Sequence, residues 1–194
     1  MRKPIRPWGR LAVWAALALL SSAARAQDYF HDGPVPGTLC EPGERIVFSC
    51  HTEAKSVAVC ARQKGEHRYG ALAYRFGMPG HLELSFPEGD PPIASYASTD
   101  TRSDGLRGSL SLVRMKNGQT TYTVYYNVVA QSGSDGFMQA GLLVEKNGRL
   151  LSKLRCNPDE YVYSGEIYEP GFKNDVPEDT QPVTGFARYL RAPH

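Results

Sequence analysis

Apolar and polar residues alternate with a period of two through much of this chain, the signature of strands with one buried face. Ile46, Phe48 and Cys50 alternate with Arg45, Val47 and Ser49, and after a polar stretch Val57 and Val59 alternate with Ala58 and Cys60. Leu72, Tyr74 and Phe76 predict one face of a third strand, and Leu82, Leu84 and Phe86 one face of a fourth. Gly77-Met78-Pro79-Gly80 between them has the composition of a turn. If the two apolar sets share a face, Arg75 lies opposite them with His81, Glu83 and Ser85, and an Arg75–Glu83 cross-strand pair is one allowed register. Residues 87–108, with Pro87, Gly89, Pro91, Pro92, Gly105 and Gly108, break the pattern. They predict a long surface loop with one short strand near Ile93 to Ala97, and the length alone makes the loop a candidate functional segment.

The second half repeats the strand pattern. Leu110 and Leu112 alternate with Ser109, Ser111 and Val113, and Tyr122, Val124, Tyr126 and Val128 alternate with Thr121, Thr123, Tyr125 and Asn127. Asn117-Gly118 between these runs is a strong hairpin signal, because both central residues of a type I′ turn need positive φ. Asn147-Gly148 repeats the device between a strand carrying Leu142 and Val144 and one carrying Leu150, Leu154 and Cys156. No helical pattern separates the runs, which argues against a parallel sheet. The predicted fold is all-β: an antiparallel meander of about eight strands, forming a sandwich or a barrel. From residue 157 onward, Pro158, Pro170, Pro177, Pro182 and Pro193 interrupt any element, yet Tyr161, Tyr163, Ile167, Tyr168, Phe172, Phe186, Tyr189 and Leu190 are too apolar for a solvated tail. The expectation is an irregular, extended C-terminal arm that packs on the sheet in places.

The N-terminus changes the reading of charge and compartment. Arg2, Lys3, Arg6 and Arg10 precede an apolar run from Leu11 to Leu20, and Ala24-Arg25-Ala26 fits a small-x-small cleavage site. That is the layout of a signal peptide over residues 1–26, with an apolar core too short for a typical membrane span. The organisation expected is therefore a signal peptide at 1–26, a disulfide-braced β domain at 27–156 and the arm at 157–194. Five of the 22 basic residues and none of the 20 acidic ones lie in residues 1–26, so the processed chain carries 17 against 20, a net −3. The basic patch that nucleic-acid binding needs is then missing, and no stable membrane span is expected after cleavage. The destination predicted is the periplasm or the medium.

The 4 cysteines, Cys40, Cys50, Cys60 and Cys156, all follow the signal. An even count in an exported chain reads as two disulfides. In a hairpin of the first two strands Cys50 lies near the turn and Cys60 near the open end, which the segment carrying Cys40 approaches. Cys50 and Cys156 both share a face with core residues, so Cys40–Cys60 with Cys50–Cys156 is the favoured pairing. Metal is not expected, since no Cys-x-x-Cys occurs and His31, His51, His67, His81 and His194 form no zinc motif. No nucleophile elbow and no phosphate-binding loop is present. Catalytic residues and cofactors are accordingly not expected, although a carboxylate-pair glycan or cell-wall hydrolase needs no local motif and stays open. Among the tyrosines, Tyr125 is the best candidate for a stacking surface toward a protein or glycan partner, because Thr121, Thr123 and Asn127 beside it imply an exposed face.

The series Phe48-Ser49-Cys50, Ser56-Val57-Ala58-Val59-Cys60, Tyr74-Arg75-Phe76-Gly77 and Leu82-Glu83-Leu84 resembles a family of secreted proteobacterial proteins. Over roughly residues 40–156 the resemblance implies export and a cysteine-bearing β fold, and it carries no function. A second motif, Ser164-Gly165-Glu166-Ile167-Tyr168, resembles the loop of periplasmic lysozyme inhibitors. It implies that Ser164 and Tyr168 enter the lysozyme cleft on a tight glycine turn. The function expected first is a non-catalytic binding domain, with lysozyme inhibition and glycan hydrolysis as alternatives.

Overall fold

The computed structural model describes residues 37–103, 108–131, 134–157, 160–163, 167 and 169–179. Two five-stranded antiparallel sheets pack face to face. In the first, β1 (Arg45–His51), β2 (Ser56–Gly65), β3 (Arg68–Met78) and β4 (His81–Phe86) form a meander, and β10 (Tyr161–Tyr163) returns to lie beside β1. In the second, β5 (Ala97–Ser103), β6 (Gly108–Asn117), β7 (Thr120–Gln131), β8 (Ser134–Lys146) and β9 (Arg149–Arg155) follow one another in order. The count is ten strands rather than about eight. The sequence of strands is that of an up-and-down barrel, but the described residues form no ladder between β4 and β5 or between β9 and β10. The architecture is therefore a sandwich with two seams.

Alternation places the core between the sheets. Val57, Val59, Leu72 and Tyr74 of the first sheet face Val113, Met115, Val124 and Leu142 of the second, all at most 1% exposed. The rings of Tyr74, Phe86 and Tyr122 meet across the interface with centroids 4.8 to 5.2 Å apart. The turns follow the sequence with one refinement. Asn147 and Gly148 both have positive φ, 50° and 73°, as a type I′ turn requires. At the other hairpin Asn117 pairs with Thr120, so Gly118 and Gln119 are the central residues. There Gly118 takes φ 59°, which matches a type II′ turn with glycine in first place.

Three expectations change. Leu82 does not share the inner face with Leu84 and Phe86. Phe76 pairs with Leu84 but Gly77 with Leu82, so a bulge switches the parity and leaves Leu82 45% exposed. Gly77 permits the bulge, since a β-carbon there would come within 2.5 Å of His81 O. Residues 87–108 are not one long loop: a 3-10 turn at Ile93–Ser95 leads into β5, whose polar sequence is that of an edge strand. Residues 161–179 are not an arm apart from the domain. They supply β10, the buried Ile167, a short helix α1 (Pro170–Asp175) and Val176 to the core. Phe172 of α1 is 0% exposed and meets Tyr69 edge to face at 5.3 Å. Gly171 lies so close to the β2–β3 turn that a β-carbon would overlap His67 O.

Each seam has its own fastening. Cys50 of β1 is bonded to Cys156 just after β9, which ties the sheets together at the β9/β10 seam. At the other seam β4 ends opposite Tyr74, so the edge of β3 runs on unpaired past that point. The Tyr96 hydroxyl accepts from Leu72 N at 2.9 Å and donates to Leu72 O at 3.0 Å, satisfying both backbone groups. The second disulfide, Cys40–Cys60, holds the incoming segment against the outer face of the first sheet.

Candidate functional site

An open cleft of about 270 Å³ lies at the end of the sandwich where the β1–β2 and β3–β4 turns meet the chain leaving β9. Its walls include His51, Thr52, Lys55, Met78, Asn157 and Glu160. The β1–β2 turn is stiff because Thr52 bonds Lys55 O through both its N–H, at 2.8 Å, and its hydroxyl, at 2.9 Å. His51 Nδ1 and Ser56 Oγ are 2.8 Å apart across the same turn. On the other wall Asn157 N donates to His51 O at 2.7 Å, His51 N donates to Glu160 O at 3.0 Å, and Asn157 Nδ2 donates to Glu160 Oε2 at 2.7 Å. The Cys50–Cys156 bond joins the residues immediately before His51 and Asn157, so a covalent link underlies both walls. Lys55 reaches along the rim, pairs with Glu83 at 2.7 Å and sits 5.2 Å from the Phe76 ring centre. Met78, 49% exposed, and Pro79 add apolar surface.

Among the described residues the cleft contains one serine–histidine contact. The contact between Ser56 and His51 has the distance of a nucleophile–base pair, but Ser56 is only 2% exposed. Its hydroxyl is enclosed by the hairpin that it fastens, and a nucleophile has to reach substrate. Cys40, Glu44 and Cys60 bring possible ligand atoms within 4.8 Å of one another, yet both sulfurs are spent in a disulfide and offer no thiolate. A smaller cleft of about 180 Å³ at the β5 edge is lined by Thr99, Asp100, Thr101, Lys173, Val176 and Glu178. Its buried carboxylate, Asp100, is engaged by Arg102 Nε at 3.0 Å.

The residues singled out in the sequence fare differently. Tyr125 is not exposed: it is 0% accessible and packs with Leu112 and Leu143 on the face of the second sheet turned away from the first. Polar neighbours misled because that face is covered as well. Ser164 and Tyr168 lie outside the described residues; in the sequence Ser164 directly follows β10 and Tyr168 directly follows the buried Ile167. Arg75 does lie on the outer face of the first sheet, but opposite Ser85, and it does not pair with Glu83. It is 6% exposed and binds Glu44 through both terminal nitrogens, Leu39 O at 3.2 Å and Glu41 at 3.3 Å. Burial pushes the Glu44 carboxyl up, but the bonds from Arg75 and from the Glu41 backbone, with the Arg75 and Arg62 charges, more than offset this and hold it below the usual carboxylate range. This pair clamps the segment before β1 to the sheet and is structural. The cleft residues His51, Asn157 and Glu160 escape sequence reasoning because no periodicity links them; only the Cys50–Cys156 pairing hints that they meet.

No family model, curated protein or solved structure matches the chain. No described helix is long and apolar enough to cross a membrane. The two disulfides are compatible with an oxidising extracellular compartment.

Proposed function

We propose that the chain is an exported, non-catalytic binding domain of the periplasm or medium, and that the cleft around His51 and Asn157 takes an uncharged, hydroxyl-rich ligand such as a glycan segment. The observation that carries the reading is the composition of the cleft. Donors and acceptors from His51, Thr52, Asn157 and Glu160 stand beside the exposed Met78 and Pro79 on a base fixed by a disulfide. The few placed polar groups beside an apolar patch suit recognition of an oriented polar ligand. Charge narrows the class. Glu53 and Glu160 oppose an anionic ligand, and the Lys55 charge is already shared with Glu83. Titration of isotope-labelled protein with neutral oligosaccharides tests the proposal by NMR. Shifts gathered at residues 51–56, 78–79 and 157–160, and weakened in Asn157→Ala, are expected. Shifts elsewhere, or none with any glycan, would remove the reading.

Lysozyme inhibition through Ser164 and Tyr168 is the alternative. It rests on the Ser164-Gly165-x-x-Tyr168 motif, whose Ser164 and Tyr168 stand on either side of the buried Ile167 in the sequence. A panel of lysozymes separates the two: dose-dependent inhibition that Ser164→Ala abolishes assigns the alternative, and no inhibition discards it.

A further inference from the structure

Cys40 and Cys60 are bonded on the outer face of the first sheet, and the chain around Cys40 is held there a second time. Arg75, buried on the same face, donates to Leu39 O at 3.2 Å and pairs with Glu41 at 3.3 Å. Those are the residues immediately before and after Cys40. The same guanidinium grips Glu44 through both terminal nitrogens. Opening the disulfide therefore leaves Cys40 beside Cys60, because one buried arginine brackets it. The grip also aims the Glu44 carboxylate. Arg75 Nη1 donates to Oε2, Glu41 N donates to Oε2 at 2.8 Å, and Arg75 Nη2 donates to Oε1 at 3.0 Å. A carboxylate has about four acceptor positions, so one on Oε1 remains. The two sulfurs and a Glu44 oxygen lie within 4.8 Å of one another. Among the described residues no such third ligand accompanies Cys50–Cys156.

We propose that, once this disulfide is reduced, Cys40, Cys60 and Glu44 form a binding site for one thiophilic divalent ion such as zinc. Reduction proceeds by thiol–disulfide exchange. A thiolate of a dithiol reductant attacks the sulfur of Cys40, which is half-buried where Cys60 is 1% exposed, and Cys60 leaves as a thiolate. The second thiolate of the reductant then attacks its own sulfur in the mixed disulfide. That frees Cys40 and leaves the reductant as an internal disulfide, oxidised by the two electrons the cysteines have gained. Without metal each cysteine takes up a proton, and the incoming ion displaces both protons to solvent. With Cα atoms 5.5 Å apart, side-chain rotation parts the freed sulfurs to the roughly 3.8 Å that tetrahedral coordination at about 2.3 Å per Zn–S bond requires. Three protein ligands leave the fourth position for water. Two thiolates and one dication add no net charge to a site where Arg75 already balances Glu44, so the loaded form buries no uncompensated charge. The site is separate from the cleft at the end of the sandwich and does not depend on what that cleft binds.

Cadmium titration of the reduced full chain tests this. The chain is reduced with tris(carboxyethyl)phosphine, freed of reductant without air, and titrated while the ultraviolet charge-transfer band of cadmium–thiolate bonds is followed. One equivalent is expected, and none for the oxidised chain. Iodoacetamide should then alkylate Cys50 and Cys156 but spare Cys40 and Cys60. Cys40→Ser/Cys60→Ser and Glu44→Gln should each bind cadmium more than about tenfold more weakly, the loss that even an outer-shell partner of a metal can cause. Protection spread over all four cysteines, no uptake, or unchanged affinity in either variant would overturn the site. Should the reduced chain lose its β-sheet circular dichroism signal, one equivalent of zinc is expected to restore it, since metal binding and folding are linked. A signal that zinc does not restore would count equally against the proposal.

Discussion

Replacement of Phe172 by alanine asks whether residues 161–179 belong to the cooperative core. The side chain is 0% exposed, lies in the main cluster with Tyr69, Leu72 and Val176, and its ring stands at 79° to that of Tyr69. Removing a wholly buried phenylalanine costs about 3–5 kcal/mol, the lost transfer free energy plus the cavity left behind. The edge-to-face pair with Tyr69 accounts for about 0.5–1.5 kcal/mol of an aromatic contact's value. Collapse of the site is restricted, because Gly171 is pressed against the β2–β3 turn and Asp175 is held by Arg68 and by Tyr69 N. The upper half of the range is therefore expected. For a chain of this size each kcal/mol lowers Tm by roughly 2–4 °C, so the variant should melt about 10 °C or more below the parent. Trp8 and Trp14 both fall outside the described residues, so urea unfolding is best followed by circular dichroism. Lys173→Ala, one residue on and exposed, is the control and should change stability by less than about 0.5 kcal/mol. A loss below about 1 kcal/mol for Phe172→Ala, or a separate early transition, would show that α1 frays independently and would refute its place in the core.

Four further outcomes follow from the same geometry. Gly171→Ala should destabilise by about 2 kcal/mol or more in urea unfolding, because its β-carbon meets backbone rather than a side chain that could move. Loss of Cys50–Cys156, whose partners are 106 residues apart, should cost about 5 kcal/mol, against about 3 for Cys40–Cys60 at a separation of 20, when each pair is replaced by serine. Glu44→Ala leaves the buried Arg75 charge without its main partner and should cost about 3 kcal/mol, whereas Glu83→Ala, breaking the exposed pair with Lys55, should cost under 1. The Arg68 guanidinium beside Asp175, helped by the Tyr69 N–H against the effect of burial, holds the Asp175 carboxyl below its ordinary value. A lowered folded value stabilises above the unfolded pKa of about 4 and is lost as pH falls through the folded one. Parent and Asp175→Asn should therefore differ in urea midpoint at neutral pH and converge in acid, and a constant difference across that window would contradict the assignment.

The strand series was largely legible because one face of most strands is buried against the other sheet, which prints a period of two. Where both faces are covered, that period fails. Tyr125 sits among Thr121, Thr123 and Asn127 and reads as exposed, yet Thr123 and Tyr125 are both 0% accessible. β5 was illegible for the opposite reason. An edge strand of Ala-Ser-Thr-Asp-Thr-Arg-Ser has little apolar content, and its burial comes from hydrogen bonds and ion pairs such as Asp100–Arg102. Leu82 misled because a bulge, permitted by Gly77, shifts the parity of one strand end. α1 was hidden behind Pro170-Gly171, which reads as a break. In fact the proline stands in the first helical turn and the glycine makes room for the His67 carbonyl. Of the candidate cleft, only the disulfide beneath it could be inferred in advance, since its walls come from turns distant in sequence.

The two seams of the sandwich are not equivalent. One is sewn by Cys50–Cys156; the other has no disulfide and is closed by hydrogen bonds and ion pairs, from the buried Tyr96 hydroxyl to the edge of β3 and from residues 175–179 to β3 and β5. The molecule therefore has a spine and a clasp, like a bound book. Under thermal or mechanical stress in an oxidising medium it would part at the clasp and swing on the spine. The two sheets would stay paired as covers and find their register again on closing. Reduction would turn that hinged opening into a loss of both covers.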